Sequence, residues 1–164
     1  MKINSPAGSS SGFGMIEMFV VIALILGTFV AMLQLAVFER RSQVLASQRI
    51  KATILTEQAL EVTRSVRDKS WDAFFALSLN TAYYPVFSAN EWDLTLTNPG
   101  PTDIYTVSVQ ISEVFRDGND NISSSGTSDD QTREITATVT WTGQGGDVND
   151  IFITTYLTNW QGYQ

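Results

Sequence analysis

From Met18 to Phe38 the chain carries no charged side chain, a run of 21 consecutive residues. As a helix, rising about 1.5 Å per residue, such a run spans roughly 30 Å, the depth of a bilayer's hydrocarbon core. It is apolar nearly all round, so it cannot be the surface helix of a soluble domain. The chain must therefore combine a membrane-compatible helix with one modest domain, since 164 residues are too few for two cores. A secretory signal would place small residues after the apolar run. Here Glu39, Arg40 and Arg41 follow instead, which the residues alone read as an uncleaved N-terminal anchor.

Charge divides the chain again. Charged residues make up only 16% of it, and the net charge is −7. Residues 72–164 hold two basic side chains, Arg116 and Arg133, against twelve acidic ones. Phosphate contacts need clustered Lys or Arg, so direct nucleic-acid binding by this acidic region is not expected. There is no histidine and no cysteine, which removes the commonest general base, the commonest transition-metal ligand and all thiolate chemistry. No Ser/Lys pair, phosphate loop or spaced carboxylate dyad stands out. The chain reads as non-enzymatic and without a cofactor.

The helical pattern outlasts the apolar run. Ala52, Leu55, Ala59, Val62 and Val66 recur at spacings of three and four, giving an apolar stripe on one face. Glu61 with Arg64, and Arg64 with Asp68, are spaced for ion pairs on the polar side. No proline interrupts residues 13–69, so one long helix is expected, apolar in its first half and amphipathic in its second. Residues 71–87, with Tyr83, Tyr84 and Pro85, read as an irregular segment wrapping that helix.

Period-two alternation then begins. Trp92, Leu94 and Leu96 share one face of a first strand. Tyr105, Val107, Val109 and Ile111 do so in a second, and Ile135, Ala137, Val139 and Trp141 in a third. Ile151–Thr158 is a fourth, β-branched and aromatic on both faces. Asn98–Pro101 marks a turn and Gly143–Asp147 a hairpin. The polar segment 116–131 is expected as an exposed, mobile loop. The four tryptophans are assigned to packing between sheet and helix. The result is an α+β fold: an antiparallel sheet of about four strands on the second half of a long helix.

The junction ahead of the apolar run is the most specific feature. Residues 1–12 are short and polar and end in Gly12; Phe13 follows, and Glu17 stands four residues on. This resembles the prepilin motif of type IV pilins and type II secretion pseudopilins. The layout agrees, and the stretches 59–71 and 155–160 look like those of minor pilins. The resemblance implies a pilin fold divided into a leader (1–12), a transmembrane and polymerisation helix (13–39), its amphipathic continuation (40–70) and an extracytoplasmic head (71–164). It implies cleavage between Gly12 and Phe13 by a prepilin peptidase, N-methylation of Phe13, and assembly through Glu17, paired with the N-terminal amine of a neighbouring subunit. A carboxylate in an apolar helix is costly unless paired, which gives that role its physical logic. The implied partners are other pilin subunits through helix–helix packing, an inner-membrane assembly platform, and lipid before assembly. The implied place is the bacterial inner membrane, leader inside and C-terminus outside, and then a filament. Basic residues counted alone, Lys2 before the helix against Arg40, Arg41, Arg49 and Lys51 after it, point to the opposite orientation. An uncleaved, membrane-anchored surface binding module is the competing reading.

Asp117, Asn119 and Asn121 place oxygen ligands at alternate positions, as calcium loops do. The sixth-position glycine and twelfth-position glutamate of such a loop are missing, and a simple turn accounts for the same spacing. No metal is therefore assigned.

Overall fold

The computed structural model describes residues 14–143 and 145–160. The chain forms two compact units, Met1–Val44 and Leu45–Gln164. Helix α1, Met15–Lys69, contributes to both. In the first unit every described residue is exposed, and the most apolar stretch of the helix has a mean hydropathy of 2.6 with none of it buried.

The second unit is an antiparallel sheet packed on α1. A short helix α2, Trp71–Phe75, is followed by β1, Ala82–Ser88, and β2, Glu91–Thr95. Then come β3, Tyr105–Arg116, β4, Ile122–Ser123, β5, Thr127–Thr142, and β6, Val148–Thr158. The order across the sheet is β2-β1-β3-β5-β6, with β4 paired to β3. β2 and β6 are thus its edges. The sheet has six strands rather than about four, because two came from segments read otherwise. Residues 71–87 are not an irregular wrap. Ser70 caps α2, its Oγ accepting from Ala73 N–H, and Ala82–Ser88 pairs as a strand with both β2 and β3. Pro85 lies where β1 is paired only with β2, the setting in which a strand tolerates proline.

The segment 116–131 is likewise not all loop. β5 begins at Thr127 and rejoins β3 beyond a register shift between Glu113 and Phe115. That shift puts both Ile111 and Val114 on the buried side, which strict alternation would not allow. Gly126, with φ +143°, makes the close approach possible, since a Cβ there would stand 2.1 Å from the Arg116 carbonyl oxygen.

The core joins helix to sheet. Ala59, Leu60 and Val62 of α1 and Phe74 of α2 meet Val109, Ile111, Ile135, Ala137 and Leu157. Ala52 meets Tyr105, Val139 and Trp141. The expected stripe is therefore real, with Leu55 and Val66 half-buried and Thr56, Leu60 and Thr63 added to it. The two threonines satisfy their hydroxyls within the helix, on the carbonyls of Ala52 and Ala59, each at 2.8 Å. Small side chains along this line let the sheet lie close to the helix axis.

Arg133 is the unexpected member of the interior, 5% exposed, with its guanidinium 3.6 Å above the Phe75 ring. Burial lowers its pKa, an effect opposed by Glu113, Asp129 and Asp130 nearby. Two further expectations are corrected. Arg64 pairs with Glu61, but Asp68 pairs with Arg67 rather than Arg64. Trp141 is buried, whereas Trp92, Leu96 and Trp160 are exposed; within β2 only Leu94 is buried.

Candidate functional site

The expected assembly residues belong to the first unit. Gly12 and Phe13 lie outside the described residues. Glu17 sits in the first turn of α1, exposed, with its N–H donating to the Gly14 carbonyl at 3.0 Å. A carboxylate there is favoured by the positive end of the helix dipole. It is the sole charge from Met15 to Phe38. Beside it and onward along the helix stand exposed apolar side chains, among them Met15, Ile16, Phe19, Leu24 and Phe29. An apolar surface this continuous on a folded chain is a contact surface, for lipid or for protein. Farther along, Val30, Leu33, Val37, Phe38 and Arg41 line a shallow groove of about 400 Å³ on one helix face.

The structure gathers Asp117, Asn119 and Asn121 into one turn. Asp117 Oδ1 accepts from the backbone N–H groups of Asn119 and Asn121, each at 2.9 Å. The Asn121 side-chain amide donates to both oxygens of the same carboxylate at 3.4 Å. Those bonds, from Asn121 first and then Asn119, hold the Asp117 pKa below its ordinary value. The carboxylate thus organises the turn itself. Among the described residues no group of three or more His, Cys, Asp or Glu side chains is placed to hold a metal ion.

Beside it, Arg116 Nε donates to Asp129 Oδ2 at 2.6 Å and Nη1 to the Asp120 carbonyl at 2.8 Å. Burial alone would raise the Asp129 pKa. The hydrogen bonds from Arg116, Thr132 and Gln131 outweigh it and hold the carboxyl below the usual range. This knot fastens the segment that the sequence reads as a loose loop.

A third feature was not singled out by the sequence. Along α1, Ile54, Glu57, Gln58, Leu60, Glu61 and Arg64 face a groove of about 790 Å³ flanked by Trp92 of β2 and Ile153 of β6. Its signal is present in hindsight: these helix residues share one face, adjacent to the core stripe, and mix apolar and charged character.

Comparison with protein-family models, curated proteins and solved structures finds no match to this chain.

Proposed function

We propose that the chain is the precursor of a type IV pilin-like subunit, a minor pilin or pseudopilin, with no enzymatic activity. A prepilin peptidase cuts after Gly12, Phe13 is N-methylated, and the subunit waits in the inner membrane with its head outside. An assembly platform then draws it into a filament of a type IV pilus or a type II secretion-like system. The observation that carries this reading is the uncovered apolar half of α1 with Glu17 as its one charge, set directly after the Gly12-Phe13 junction. Lipid covers that surface before assembly, and the same surface of neighbouring subunits covers it afterwards. A neighbour's N-terminal amine beside Glu17 supplies the partner that a carboxylate in so apolar a setting requires. The acidic sheet domain lies outside the bundle and keeps the filament soluble.

The test is the intact mass and N-terminal sequence of the protein recovered from its native envelope. A chain starting at Phe13 and heavier by one methyl group supports the reading. A chain starting at Met1 or Lys2 refutes it and makes the protein an uncleaved, membrane-anchored surface binding module. Glu17→Ala with undiminished incorporation into sheared filaments would remove the assembly role from that residue.

A further inference from the structure

The groove along α1 has a floor and two walls. Its floor is Ile54, Glu57, Gln58, Leu60, Glu61 and Arg64; its walls are Trp92 and Ile153, one from each edge strand of the sheet. Both edges are tied to the last turns of α1. On the β2 side Lys69 Nζ donates to Glu91 Oε2 at 2.8 Å and to the Trp92 carbonyl at 2.9 Å. On the β6 side Arg67 reaches the Thr158 carbonyl at 3.5 Å, and Trp160 Nε1 donates to Asp68 Oδ1 at 3.2 Å. The opening between the edges is therefore held by the fold.

Its chemistry is apolar with one uncompensated carboxylate, Glu57, because Arg64 in the same lining neutralises Glu61. Ile54 and Trp92 are 49% and 46% exposed. Glu57 has no ion-pair partner among the described residues, and Glu61 is paired only with Arg64. A surface of this kind suits a helix that presents apolar residues and ends in a cation, the helix-in-groove mode of recognition.

The chain carries such a face itself. Val30, Leu33, Val37, Phe38 and Arg41 recur on one side of α1, all exposed, and Arg41 has no ion-pair partner among the described residues. We infer that the groove receives the Val30–Arg41 face of a second copy, with Phe38 against Ile54 and Trp92 and Arg41 beside Glu57. Charge complementarity sets the register: sliding the neighbour along the groove would strand Arg41 against apolar surface and leave Glu57 unpaired. The inference rests on the filament-subunit reading and adds to it a specific contact between one subunit's apolar helix and another's head.

Cross-linking tests it, because the chain has no cysteine of its own. Gln58→Cys changes one floor residue of the groove and Ser42→Cys one residue beside the docking face, while Phe38, Arg41, Ile54, Glu57 and Trp92 stay in place. Full-length single variants carrying different tags are co-expressed and oxidised in the native envelope. A disulfide closes only when the two Cα atoms come within about 4.4–6.8 Å. The expected result is a Ser42→Cys/Gln58→Cys heterodimer. It should fall at least about tenfold with Arg41→Glu or Glu57→Arg and return when both are combined. Leu26→Cys, paired with itself, reports contact between the apolar helices alone. Leu26→Cys dimers without the heterodimer, or a heterodimer indifferent to the charge exchanges, overturn the groove contact and leave the filament reading standing. No dimer from any pair overturns both. Gln58→Cys linked solely to a different protein overturns the second copy as the occupant.

Discussion

Phe74→Ala is the sharpest test of how the head is built. Helix α2 has five residues, too few to persist on propensity alone, so it exists because Phe74 is anchored. That side chain is 1% exposed and belongs to the main core with Leu60, Ile111 and Leu157. Truncating a buried phenylalanine costs about 3–5 kcal/mol, transfer and cavity together. The unit Leu45–Gln164 has roughly 120 residues, for which about 0.05–0.15 kcal/mol per residue gives a stability of about 6–18 kcal/mol. The loss is thus between about a sixth and about four fifths of that stability. With a urea slope of about 2 kcal/mol per molar, the midpoint falls by about 1.5–2.5 M. The assay is urea unfolding of the full chain in mild detergent, followed by tryptophan fluorescence. Trp71, Trp92, Trp141 and Trp160 all lie in this unit, so the signal reports the head alone. Ala73→Ser, at an exposed neighbouring position, is the control and should move stability by no more than about 0.5 kcal/mol. A Phe74→Ala midpoint indistinguishable from that control would refute the reasoning.

Three further outcomes follow from the same packing. Tyr83→Phe removes the oxygen that accepts from Ser78 N–H at 2.8 Å; it should cost about 1 kcal/mol, and an unmoved urea midpoint would mean that bond contributes nothing. Gly126→Ala sets a Cβ against the Arg116 carbonyl at a φ that only glycine adopts freely; strain of about 1–3 kcal/mol should lower the midpoint and speed amide exchange from 116 to 128, and normal exchange there would contradict the close approach. Asp129 has its carboxyl held low in the folded chain, so its contribution is complete above the ordinary aspartate value of about 3.9 and is lost as pH falls through the lowered one; wild-type stability should drop more steeply below about pH 4 than that of Asp129→Asn, and parallel acid profiles would rule the tie out.

Much of the fold could be read from residue order because single periods dominate it. The charge-free run and the Ala52–Val66 stripe announce α1, and clean alternation announces β3 and the second half of β5. What escaped reading was decided by partners distant in sequence. Ala82–Ser88 becomes a strand because β2 and β3 flank it, although Tyr83-Tyr84-Pro85 shows no alternation. Thr127–Asp130 looks like loop and is strand because Arg116 clamps Asp129 and a bulge returns β5 to β3. Arg133 gives no local sign of burial and is buried because an aromatic ring distant in sequence, Phe75, receives it. The candidate site divides in the same way. Glu17 and the junction before it are local features, visible in order of residues. The groove is made by two sheet edges and a helix face, and no local pattern contains all three.

The small side chains along α1 have a consequence in time. Ribosomes add about 5–20 residues per second. The helix stripe at Ala52–Thr63 is therefore finished about 5–20 s before its last sheet partner, Leu157, is made. For that interval its cover is incomplete. A stripe of leucines would spend those seconds as an aggregation hazard. The stripe keeps Leu55, Leu60 and Val62, but its alanines, and threonines whose hydroxyls are already bonded to the Ala52 and Ala59 carbonyls, limit the apolar area and leave no unsatisfied hydroxyl. The same choice that lets the finished sheet lie close to the helix lets the unfinished chain wait for it.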